Sequence, residues 1–251
     1  MMKDQEVGLD PYFRYRGKNQ TRLEAFTDAA FALAITLILL SSSVPSTYQE
    51  LSASMRNVIP FGGCVVLVII IWYQHYIYFL RYGLQDLKTI VLNAFLIFLI
   101  LVYVYPLKFL FVVLQNLYAG ILTGNQDLIN YTFTNMITFD DTRSLMMIYG
   151  VGAGLIFLTF ALMYKHALSK TNDLELDEYE RFQSVSGMRI NLLMAAIPFF
   201  SALIALTGMF GQWNFLVSGI AYMLYPPVMI INGRIRGKKR TALIGKLNFD
   251  A

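Results

Sequence analysis

The sequence predicts an all-α integral membrane protein with six transmembrane helices and both termini in the cytoplasm. Two observations predict it. The chain is 57% hydrophobic and only 14% charged, whereas a soluble domain carries about a quarter charged residues. Its apolar residues gather into runs long enough to cross a bilayer, and its cations gather between alternate pairs of those runs.

A helix needs about 20 mostly apolar residues to span the hydrocarbon core. Six stretches qualify, at about residues 23–44, 58–80, 89–113, 145–164, 190–209 and 215–231. Barrel strands would be shorter and would alternate polar with apolar residues, which these runs do not. With the N-terminus inside, all but three of the 20 Lys and Arg residues fall on one side. The exceptions are Arg56 and Arg143 in outer loops and Lys108 near the outer end of the third span. The positive-inside rule therefore puts both ends in the cytoplasm. The chain divides into a cytoplasmic arm (1–21), a six-helix membrane domain (22–231) and a basic cytoplasmic tail (232–251).

Several function classes fall away. A first apolar run that follows a long polar arm does not read as a cleavable signal. The single cysteine, Cys64, excludes an intrachain disulfide, and no Cys/His metal spacing occurs. No Gly-rich phosphate loop or H-E-x-x-H is present, so no enzyme is expected. The net charge of +4 reports topology rather than a nucleic-acid partner. Neither an Arg-every-third voltage sensor nor a T-V-G-Y-G filter appears. Gly150 and Gly154 instead make a small-xxx-small face suited to close helix packing. No internal repeat suggests two inverted halves.

Polar residues within the spans carry the remaining information, because they are costly there. Asp28 sits at the inner end of the first helix, Trp72 and His75 in the inner half of the second, and Asn93 at similar depth in the third. Their matching depth places Asp28, His75 and Asn93 to meet in one buried cluster, either as a structural tie or as groups that reach the interface. Phe26, Ala30, Leu33, Leu37 and Leu40 recur at spacings of four and three and so share a stripe. Asp28 lies about 140° around the helix from Leu33, and Thr36 about 60° from it. A leucine stripe alone reads as a packing seam or as a pore wall. The outer segment 116–142 is polar and reads as a cap over a vestibule or as a disordered linker. The acidic segment 173–180 reads as a solvated linker, and the basic run 234–240 as a topology signal that also suits anionic lipid headgroups.

The residues Arg22-x-x-x-Phe26-Thr27-Asp28, followed by 29–37 (AAFALAITL), resemble the first-helix signature of the transmembrane-175 family. That family comprises the endolysosomal potassium channel and its bacterial and archaeal relatives. Thr27 stands where the family pattern R-x-x-x-F-S-D has Ser. Trp72, His75, Asn93 and Pro106 extend the match, which covers roughly the first 110 residues. The resemblance implies a channel without a pore loop. A single repeat implies a homotetramer whose first helices line the pore, in the plasma membrane of a prokaryote. Carried over by position, Leu33 matches the innermost constriction, and Leu37 and Leu40 further pore-facing layers. Thr36 matches a polar ring linked to potassium preference, and Arg22, Phe26, Thr27 and Asp28 match the structural signature, with Trp72, His75 and Asn93 in support. The implied cargo is K⁺, preferred modestly over Na⁺, with no cofactor. The expected partners are further copies of the chain, monovalent cations and membrane lipids. The rival reading is a proton-coupled carrier in which Asp28 and His75 are protonated in turn.

Overall fold

A computed structural model describes residues 9–40 and 44–249. All regular structure among them is helical: α1 (Arg22–Leu40), α2 (Tyr48–Arg56), α3 (Val58–Tyr82), α4 (Leu87–Thr123), α5 (Gln126–Tyr131), α6 (Phe139–Ser169), α7 (Glu178–Thr207), α8 (Asn214–Ile220) and α9 (Tyr225–Phe249). A π-helical turn, Thr132–Met136, follows α5, and 3₁₀ turns flank α8. The end of the first expected span, residues 41–43, and Lys3 of the arm lie outside the described residues.

Local chemistry sets the helix ends. Asp86 caps α4 by accepting from the Thr89 amide. Reciprocal capping boxes start α6 (Thr138 with Asp141) and α7 (Asp177 with Glu180). Gly83, Gly124 and Gly208 stop α3, α4 and α7 in the left-handed region at φ 58°, 66° and 62°, where a Cβ is strained.

Seven stretches are long and apolar enough to cross a membrane, but two of them, Leu87–Val104 and Pro106–Thr123, belong to the unbroken helix α4. At 37 residues α4 is about 55 Å long, well beyond the roughly 30 Å hydrocarbon core. It runs ten residues past the end read from sequence at Val113, because nothing breaks it before Gly124. The segment 116–142 is therefore helical for most of its length and not a disordered linker.

The bundle has two parts. α1 packs on α3 and α4, while α6 and α7 form the most extensive helix pair, with α8 and α9 against α7. α4 joins the parts by packing on α6. The α6–α7 seam uses the small-residue face expected from Gly150 and Gly154. A Cβ on Gly150 would lie 2.6 Å from the Pro198 carbonyl oxygen, and one on Gly154 would meet the Phe199 ring at 2.7 Å. At the end of the bundle that carries the N-terminal arm, Phe13 is buried, and the Gly17 amide donates to the Leu80 carbonyl at 3.0 Å.

Candidate functional site

The two sides of α1 differ. Thr27, Phe31, Ala34 and Ile38, spaced four, three and four apart, are buried against the rest of the chain. Phe26, Leu33, Leu37 and Leu40 face away from it, with 66%, 50%, 39% and 70% of their surfaces exposed, and Thr36 lies exposed beside them. The Thr36 hydroxyl donates to the Ala32 carbonyl at 2.9 Å. Its proton is thus held by its own helix, and the oxygen lone pairs are left to the exposed side.

Hydrogen bonds fix the buried side in two separate ties. In the first, Asn93 Nδ2 donates to Thr27 Oγ1 at 2.7 Å, while Asn93 Oδ1 pairs with His75 Nε2 at 2.9 Å. Thr27 in turn donates to the Leu23 carbonyl. Asn93, Thr27 and His75 are all buried, and His75 also packs on Phe79 with ring centroids 4.5 Å apart. In the second, Trp72 Nε1 donates to Asp28 Oδ1 at 2.8 Å and Gln20 Nε2 to Asp28 Oδ2 at 2.9 Å.

The single cluster of Asp28, His75 and Asn93 read from sequence is corrected accordingly. The three lie at similar depth, but Asp28 bonds Trp72 whereas Asn93 bridges His75 to Thr27. Depth along the membrane does not give direction around a helix, and Trp72 and His75 lie about 60° apart on α3. Within the signature, Thr27 and Asp28 are tied to this chain, whereas Arg22 and Phe26 are exposed.

Sequence reasoning missed three further ties. Lys108 Nζ donates to the Ile38 carbonyl at 3.4 Å, near the far end of α1. Glu180, with no exposed side-chain surface, is held by Arg14 at 3.1 Å and Arg16 at 2.7 Å. That overturns the solvated-linker reading at this position: the carboxylate is desolvated because two guanidinium groups enclose it. His166 Nε2 pairs with Asp86 Oδ2 at 2.7 Å. Burial pushes the Asp86 carboxyl upward, but hydrogen bonds from Thr89 and His166 outweigh it and hold the group below its ordinary value.

Several apolar helices of membrane-crossing length, with no other regular structure among the described residues, define a multi-span membrane protein. Comparison with known proteins gives the family. The family model for the endosomal/lysosomal potassium channel TMEM175 matches residues 22–106. A protein of Marivirga tractuosa named "Potassium channel" is 49% identical over 243 residues, covering 95% of this chain and 96% of the relative. The crystal structure of a single-residue variant of the potassium channel MtTMEM175, in complex with a nanobody–MBP fusion protein, matches with a TM-score of 0.84 and 50% identity. That match covers 92% of this chain and all of the other. The chain belongs to the TMEM175 potassium channel family.

Proposed function

We propose that the chain is one subunit of a homotetrameric, potassium-permeable channel in a prokaryotic plasma membrane. It crosses the bilayer six times, through α1, α3, α4, α6, α7 and the α8–α9 segment, with both termini in the cytoplasm. α4 counts as one crossing because it is one continuous helix, and the positive-inside pattern sets the orientation.

The observation that carries the reading is the division of α1. Its polar residues Thr27 and Asp28 are bonded into this chain, while Leu33, Leu37 and Leu40 face outward. Arranged around a four-fold axis, those side chains line the conduction path. Leu33 forms the innermost aliphatic constriction, which gates by excluding water. Four Thr36 oxygens, each with its proton turned back onto Ala32, offer lone pairs to a cation. With no carbonyl cage to replace the hydration shell, preference for K⁺ over Na⁺ is modest. Arg22 and Phe26, exposed in one chain, contact the neighbouring copy. The ties at Trp72, His75 and Asn93 hold the helix and do not carry the ion.

The test is a planar-bilayer recording on the purified, reconstituted protein, with K⁺ on one side and Na⁺ on the other. Unitary steps that reverse toward the K⁺ equilibrium potential are expected. Anion preference, or smooth proton-dependent flux without unitary steps, would overturn the channel reading and favour the carrier.

A further inference from the structure

At the arm end of the bundle, two helices bring guanidinium groups together with too few carboxylates to match them. Arg81 comes from the last turn of α3, and Arg236 and Arg240 from α9. Tyr82, next to Arg81, shares a 2.6 Å hydrogen bond with Ser184 of α7, and the neighbouring Gln183 accepts from Arg236. α3, α7 and α9 therefore converge at this point, and Arg236 lies within electrostatic reach of both Arg81 and Arg240.

The two nearby carboxylates are already used. Glu180 accepts from Arg14, Arg16 and the Asp177 amide. Asp10 Oδ2 accepts from Tyr179 and Gln183, each at 2.7 Å, and pairs with Arg240 at 3.4 Å. Among the described residues no ion pair reaches Arg81 or Arg236. Both carry a buried Nε–H without a hydrogen-bond partner. Arg81 is instead placed over the Phe13 ring, 4.9 Å from its centroid. A buried, unpartnered guanidinium donor is costly, and two like charges held together add to that cost. An anion between them removes both penalties. The planar donor fork of Arg matches the oxygens of a phosphate, which two guanidinium groups bind by charge-assisted hydrogen bonds.

We propose that Arg81 and Arg236, with Arg240 at the rim, form a binding site for a phosphate group. The group belongs to an anionic lipid headgroup or to a small soluble phosphate, two sources with the same chemistry. The site holds α3 to α9 when occupied.

The test is thermal unfolding of the full chain in a non-ionic detergent, followed by tryptophan fluorescence. Phosphatidylglycerol is compared with phosphatidylcholine of the same acyl chains, and inorganic phosphate with chloride at equal ionic strength. A rise of at least a few degrees is expected with the phosphate-bearing anion. A rise with phosphatidylglycerol alone identifies the lipid source, and one with inorganic phosphate identifies the soluble source. Equal melting in all four conditions would overturn the proposal in the wild-type protein alone. The rise should vanish in the double variant R81Q/R236Q but persist in K238Q/K239Q, which removes two exposed charges from the same helix. Persistence in the first, or equal loss in the second, would show a diffuse surface effect and sink the site. Should R81Q/R236Q fail to fold, R81K/R236K keeps the charge without the fork, and its half-saturating anion concentration is expected to rise about tenfold. An unchanged value there also counts against the site.

Discussion

At the scale of single residues, α1 separates side chains bonded into the chain from side chains turned outward. Thr36 belongs to the second group. Thr36→Ala should leave thermal stability near wild type and move the K⁺/Na⁺ reversal potential toward zero; an unchanged reversal potential would remove Thr36 from selection. Asn93 belongs to the first. Asn93→Leu leaves His75 and Thr27 buried without their partner and should cost about 1–3 kcal/mol, read as a lower melting temperature. Asp28→Asn weakens the charge-assisted bond from Trp72, and should lower the yield of assembled protein more than it changes ion preference. The outward stripe of α1 was legible because the i, i+3, i+4 rule needs only one helix. The partner of Asp28 was not, since it depends on how α3 is rotated against α1, which no local pattern encodes.

At the scale of elements, close seams and caps decide the packing. Gly150→Val places a branched side chain against the Pro198 carbonyl and the Ala202 Cβ, which would lie only 2.8 Å from the first added carbon. It should separate α6 from α7 and lower stability more than the same change at Gly233, which has open space around it. Gly17 is equally constrained, since a Cβ there would meet the Phe79 carbonyl oxygen. The Asp86 cap gives a pH dependence of known sign. Its carboxyl is held below the ordinary value in the folded chain, so its contribution is present above the unfolded value of about 3.9 and is lost as pH falls through the lower folded one. Melting temperature measured from about pH 6 down to about pH 3 should therefore fall less in Asp86→Asn than in wild type, from a lower starting point; parallel curves would contradict that. Helix stops at Gly83, Gly124 and Gly208 and starts at Thr138 and Asp177 follow familiar local signals. The clamp of Arg14 and Arg16 on Glu180 was hidden, because its partners lie more than 160 residues apart in sequence.

At the scale of the whole molecule, an all-helical fold with several apolar spans was legible from hydropathy, because a bilayer imposes length and apolarity on the chain directly. The length of α4 beyond the membrane was not, since outside the hydrocarbon core hydropathy no longer separates helix from loop. In the proposed tetramer, four copies enclose Leu33, Leu37 and Leu40, which a single copy leaves exposed. The purified protein should accordingly have the mass of four 28.6 kDa chains after the detergent is subtracted.

The central claim is that the outward face of α1 is the wall of the ion path, and unitary conductance in variants of Leu33 tests it most directly. Leu33→Ala should raise single-channel K⁺ conductance and Leu33→Phe should reduce it, while Val102→Ala, an equally outward change on α4, should leave it unchanged. Currents the same as wild type in both Leu33 variants would contradict the account.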